Sequence, residues 1–146
     1  MPHQIETPRT ADLPRLLEVW EAAVRATHDF LEEHDIQLLK PLLIEQYFPQ
    51  VALSCVRGKD GEVVGFLGYA EGNIEMLFVD PLHHATGVGS ALLNHAVTHL
   101  GATQVDVNEQ NPKALGFYLS RGFVVKSRSP LDGGGRPFPI LHLRLC

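Results

Sequence analysis

The sequence predicts a mixed α/β fold, one sheet carrying helices on both faces. Three observations lead there. The apolar and polar runs follow the order βαα-βββ-α-β-α-β-β, which one mixed sheet with two helical layers accommodates. The run Ile74 to Val79 is apolar everywhere except Glu75, as a strand covered on both sides requires. That strand leaves through Asp80-Pro81 and a polar loop into Gly87-Val88-Gly89, where a helix starts.

In chain order, residues 3–7 read as a first strand. Thr10 caps a helix whose apolar positions Leu13, Leu16, Leu17, Trp20 and Val24 recur with the helical period, and Pro14 falls in its first turn. A second helix covers about Ile36 to Tyr47 and stops near Pro49, with Pro41 in its first turns or splitting it. Ala52 to Arg57 and Val63 to Ala70 form a hairpin around Gly58-Lys59-Asp60-Gly61. The strand Ile74 to Val79 follows the turn Glu71-Gly72-Asn73. The helix over residues 87–100 buries Val88, Leu92, Leu93, Ala96 and Leu100. Thr103 to Val107 is a strand, and Pro112 opens a helix that runs to Ser120 and ends at Gly122. Phe123 to Arg128 and Ile140 to Arg144 close the sheet around a loop over 130–137. Gly133 to Gly135 in that loop suit a mobile lid, a dimer contact or an ordinary hairpin connection.

With 146 residues the chain reads as a single domain, 1–146, long enough for a real core. A net charge of -5 argues against a nucleic-acid binder that works by neutralising phosphates. No run reaches membrane-spanning length, and Met-Pro-His-Gln-Ile-Glu has no apolar signal core. Cys55 and Cys146 make no disulfide framework, so the expectation is a cytoplasmic protein with reduced thiols.

Gly87 and Gly89 remove side chains where the helix begins, which lets bare amides close around an anion. A dinucleotide fingerprint needs a third glycine where Leu92 stands, and it needs its first glycine directly after the strand. A Walker loop needs Lys-Ser/Thr where Val88-Gly89 stand. Instead, His84-Ala85-Thr86-Gly87-Val88-Gly89 resembles the (Arg/Gln)-x-x-Gly-x-(Gly/Ala) loop of the GNAT acetyltransferases.

The resemblance extends over roughly residues 3 to 144. Asn111-Pro112-Lys113-Ala114-Leu115-Gly116-Phe117-Tyr118 is similar to the family's Asn-x-x-Ala-x-x-(Phe/Leu)-Tyr helix, and Arg121-Gly122-Phe123 follows as in the family. Ala26-Thr27-His28-Asp29-Phe30-Leu31 and Val107-Asn108-Glu109-Gln110-Asn111 look like small bacterial members. What this implies is the GNAT fold: a central, mostly antiparallel sheet with one splayed parallel pair, strands 74–79 and 103–107. It implies acetyl-CoA as cosubstrate, its pantetheine arm pairing with Leu77, Phe78 and Val79. Its pyrophosphate would lie on amides of His84, Ala85, Thr86, Gly87, Val88, Gly89 and Ser90. Asn111 would bond the arm, with Ala114, Phe117 and Tyr118 completing the cofactor wall. His84 stands where the family has Arg or Gln, so a fixed positive charge is missing and CoA binding is weaker or pH-dependent.

The implied reaction is direct attack of a primary amine, from a small molecule or a protein, on the thioester. A lysine-like amine with a pKa of about 10.4 is neutral in roughly one molecule in 2,500 at pH 7, a deficit of about 4.6 kcal/mol that a base would offset. Tyr118 is protonated at pH 7 and is the candidate acid for the departing sulfur, against a merely packed helix tyrosine. For the base, Glu75 on the side of Leu77 and Val79, His28 and Glu109 stay open. Glu75 could equally be an exposed strand end. His28 could be a substrate contact or a helix C-terminal residue meeting the dipole. The oxyanion would meet a strand amide near Phe78. His95 and His99 share a helix face but lack a third ligand, so no metal site is expected. Glu32, Glu33 and Asp35 would favour a cationic acceptor or simply solvate a helix end. A non-catalytic CoA-binding module, a fold-only interaction protein, and a monomer or homodimer remain compatible with this sequence.

Overall fold

A computed structural model describes residues 3–83 and 86–146. Its strands are β1 (Ala52–Arg57), β2 (Val63–Ala70), β3 (Asn73–Val79), β4 (Gln104–Asn108), β5 (Phe123–Ser129) and β6 (Ile140–Leu145). They form one sheet in the order β1-β2-β3-β4-β6-β5, antiparallel throughout except for the parallel β3–β4 pair. The helices are α1 (Leu13–Thr27), α2 (Glu33–Leu42), α3 (Val88–His95) and α4 (Pro112–Ser120).

Each face of the sheet has its own core. On one, Leu16, Val19, Trp20 and Val24 of α1 pack with Ile36, Phe66 and Met76. On the other, Val88, Leu92 and Leu93 of α3 pack with Leu67, Ile74, Val105, Tyr118 and Phe123. Helix α3 approaches β2 so closely that a Cβ on Gly65 would stand 2.6 Å from Val88 Cγ1. Only glycine lets the start of α3 sit that near the sheet.

Several boundaries differ from the sequence expectation, each for a local reason. The strand over 3–7 reduces to one bridge, Glu6 to Cys55. The next bonded pair would use Pro8, which has no N–H. Thr10 is not the cap. It opens a 3-10 turn, Thr10–Asp12, whose buried Asp12 carboxylate accepts the Arg9 N–H at 2.7 Å. Arg57 holds the same carboxylate with two guanidinium nitrogens, at 2.7 and 3.2 Å, and pushes its pKa well below the usual range. Helix α2 starts earlier than expected, keeps Pro41 inside, and unwinds through a π-turn at Leu43–Tyr47. Helix α3 likewise ends in a π-turn, Ala96–Leu100, before Gly101 at φ 75°. Within the glycine loop, Asp132 Oδ1 accepts the N–H groups of Gly134 and Arg136 at 2.9 and 2.8 Å.

Two features of β3 build the site. Register against β2 slips between Gly68 and Tyr69, which pair with Met76 and Ile74, so Glu75 is the extra residue of a β-bulge. The bulge reverses the side-chain phase, putting Ile74 in the α3-side core and Met76 in the α1-side core. Second, β3 and β4 pair only at Asn73–Gln104 and Ile74–Val105. Beyond that point β3 follows β2 while β4 follows β6 through Asn108, and the two strands part.

Candidate active site

The parted strands leave one edge of β3 open. The Asp80 N–H bonds the Val64 carbonyl at 2.8 Å. By the alternation of antiparallel pairing, the peptide groups of Phe78 also turn toward β2, and those of Leu77 and Val79 turn into the gap. The Phe78 amide itself is therefore turned away from the gap. Leu77, Phe78 and Val79 are only half-buried, because none of the described residues pairs with that edge.

At the head of α3, Gly87 takes φ 86°, a left-handed conformation that favours glycine. The first helical bond joins the Ala91 N–H to the Gly87 carbonyl, which leaves the amides of Val88, Gly89 and Ser90 without helical partners. They face outward with the positive end of the helix dipole. Two contacts fix this loop. Arg15 of α1 bonds the buried Asp80 carboxylate at 3.0 Å, and His3 Nε2 donates to the Thr86 carbonyl at 2.7 Å. His84 and Ala85 lie outside the described residues.

A cavity of about 400 Å³ connects these features. Leu77, Phe78 and Val79 form one wall and Gly87 to Ser90 another. Asn111, Ala114, Phe117 and Tyr118 contribute from α4, and Ala23, Thr27 and His28 from α1. Asn111 is buried and caps α4, its Oδ1 accepting the Ala114 N–H at 3.3 Å, so the side-chain NH2 is left for a ligand carbonyl. Thr86 does not line the cavity; its hydroxyl donates to the His83 carbonyl.

Tyr118 stands edge-on to Phe117 and Phe123, ring centroids 5.3 and 5.7 Å away. Its hydroxyl makes no hydrogen bond to the described residues yet borders the cavity. Burial raises its pKa far above the ordinary value, so it remains a donor at every working pH.

His28 is buried at the end of α1. The single Thr27 hydroxyl proton goes to the Ala23 carbonyl at 2.8 Å, so His28 Nδ1–H donates to Thr27 Oγ1 at 2.7 Å and Nε2 is unprotonated. Desolvation lowers its pKa to about 4, against a weak opposing pull from Asp29. His28 is thus neutral at pH 7 and offers the helix dipole no charge. Folding binds no proton at His28 above about pH 6.5, and stability falls as pH drops from there to about 4. The loss attributable to His28 is about 3 kcal/mol. Urea unfolding at pH 7 and pH 4.5 should show it in wild type, and His28→Gln should remove most of the difference; an equal acid loss in both would contradict it.

The other candidate bases are placed differently. Glu75 is exposed at the bulge and does not share the side of Leu77 and Val79. It lines a second cavity of about 340 Å³ with Trp20, Leu39, Leu43, Tyr47 and Met76. Phe78 lines both cavities. Glu109 is held by Arg128 through two contacts of 2.5 and 3.0 Å, which keeps its carboxyl below the usual range. The acidic cluster is also engaged: Glu33 pairs with Arg25 at 2.8 Å, and Asp35 accepts the Glu32 N–H. His95 and His99 lie 5.1 Å apart, ring to ring, and no group of three metal-ligating side chains occurs among the described residues. Ser129, His142 and Asp106 form a hydrogen-bonded row with 2.7 Å links, but this row lines neither cavity.

A splayed parallel pair beside a glycine-headed helix limits the possibilities sharply. Residues 26–139 match the family model described as an acetyltransferase (GNAT) domain. The chain belongs to the GNAT acetyltransferase family. It is similar to the peptidyl-lysine N-acetyltransferase YjaB of Salmonella typhimurium, 36% identical over 88% of either chain. It also resembles the solution structure of apo YjaB from Escherichia coli, with TM-score 0.89 and 34% identity over 99% of this chain and 97% of the other. The PaiA N-acetyltransferase of Thermoplasma acidophilum, solved with coenzyme A, shares the fold at TM-score 0.76 and 19% identity over 100% of both chains. This GNAT acetyltransferase uses acetyl-CoA, and its cavity fits that cosubstrate: an open strand edge for the arm and bare amides for phosphate. No described helix is long and apolar enough to cross a membrane.

The sequence reading missed Arg121 and Lys113 in the cavity wall. Arg121 was legible in principle, since it follows Phe117 by one helical turn, the spacing at which side chains stack.

Proposed function

We propose that this enzyme acetylates the ε-amino group of lysine in a protein or peptide. The observation that carries the reading is the pair of cavities meeting at Phe78. The first has the strand edge and amides suited to acetyl-CoA. The second is an apolar slot with one carboxylate, Glu75, which suits a long aliphatic amine that carries charge only at its tip. The YjaB relative, a peptidyl-lysine N-acetyltransferase, supports the same acceptor class.

Acetyl-CoA supplies the activated thioester. Glu75 takes the proton that the attacking nitrogen must lose. The Leu77 or Val79 amide receives the negative charge that develops on the acetyl oxygen. Tyr118 donates its proton as the carbon–sulfur bond breaks, and it is reprotonated from Glu75 through solvent. The products are an acetamide and free CoA thiol; a substrate that arrives as an ammonium ion also releases one proton to solvent, through Glu75, before it attacks. His28, neutral with Nε2 open, orients the incoming amine by accepting a hydrogen bond.

Mass spectrometry of a lysine-peptide panel incubated with acetyl-CoA tests the proposal. Acetyl groups on lysine side chains, matched by released CoA thiol, are the expected result. CoA binding without transfer to any peptide would instead favour a binding module, and transfer only to small amines would replace the acceptor class.

A further inference from the structure

We infer that Arg121 is the fixed cation that holds the cofactor's pyrophosphate, supplying the charge that His84 does not. This assignment rests on the acetyl-CoA reading of the cavity. Four observations support it. The chain carries 17 acidic against 12 basic residues, yet no carboxylate lines the cavity, whereas Lys113 and Arg121 both do. Arg121 has no ion-pair partner among the described residues, unlike Arg15, Arg25, Arg57 and Arg128. Its Nη2 donates to Ser90 Oγ at 2.6 Å, which places the guanidinium beside the bare amides at the head of α3. Its charge lies over the Phe117 ring, 5.0 Å from the centroid, so the group is held in place without a counter-ion.

The chemistry matches a diphosphate. A guanidinium presents several N–H donors in a rigid fork, and binding Ser90 through one nitrogen leaves the others free. Ser90 accepts from Arg121, so its own hydroxyl proton is still available to a phosphate oxygen. Guanidinium, hydroxyl and amides then converge from two elements, α3 and the end of α4, that the sequence separates by some thirty residues.

Titration calorimetry with CoA and with dephospho-CoA, which lacks the 3′-phosphate, tests the assignment on full-length protein. The kcat/KM for S-acetylpantetheine, a donor without phosphate, completes the set. Arg121→Gln should weaken both CoA and dephospho-CoA by roughly 10- to 30-fold while leaving S-acetylpantetheine turnover unchanged. Arg121→Lys, which keeps the charge but loses the fork, should fall between. Unchanged CoA affinity would overturn the assignment, and so would an equal loss with the phosphate-free donor. Normal dephospho-CoA binding by the Gln variant would move Arg121 to the 3′-phosphate and overturn the pyrophosphate role. A wild-type protein that binds neither nucleotide would defeat the acetyl-CoA reading itself, a separate and recognisable failure.

Discussion

Tyr118→Phe is expected to lower kcat by about 10²- to 10⁴-fold, the usual worth of a positioned acid, with the CoA dissociation constant unchanged. The substitution is unusually clean. The ring contacts with Phe117 and Phe123 do not involve the hydroxyl, and the hydroxyl has no described hydrogen-bond partner to leave unsatisfied. Thermal stability should therefore match wild type. Burial keeps the phenol protonated far into the alkaline range, so wild-type activity should show no loss from ionisation of Tyr118 up to pH 10. Full turnover by the Phe variant at saturating acetyl-CoA would remove the acid role.

Glu75→Gln should cost about 10²-fold in kcat/KM for a lysine peptide at pH 7. Its signature is the pH dependence. The base offsets an amine deficit of about 4.6 kcal/mol at pH 7, and that deficit vanishes as pH approaches the amine's pKa near 10.4. The variant's disadvantage should therefore shrink steadily as pH rises. A loss of constant size from pH 7 to pH 10 would make Glu75 an electrostatic anchor for the ammonium, and no loss at all would return the base role to His28 or solvent. Glu75 is exposed at a bulge, so folding should be unaffected.

Much of this architecture was legible because local rules and tertiary structure agree. The strand–loop–helix around Gly87 follows from an apolar run, a proline exit and a left-handed glycine, and the structure has each of them. Pro112 announces α4 by its place in the first helical turn, whereas the Asn111 cap shows only in the structure. What was not legible depends on partners far along the chain. The bulge at Glu75 is a mismatch between β3 and β2, visible only once the two strands are in register, and it moved the carboxylate to another cavity. The neutrality of His28 comes from surroundings that include Phe30 and Phe78, which no spacing rule supplies. Glu109 stood open as a candidate base and is held by Arg128 across a neighbouring strand. The N-terminal strand failed for a reason that was on view: Pro8 cannot donate to a ladder.

The account depends most on the gap between β3 and β4 as the seat of the pantetheine arm. A crystal structure of the complex with CoA tests this directly. The arm should lie between the two strands, bonded to peptide groups of Leu77 and Val79, with the diphosphate on the amides of Val88 to Ser90 and the sulfur within reach of the Tyr118 hydroxyl. CoA bound elsewhere, or β3 and β4 paired along their full length with the cofactor outside, would contradict it.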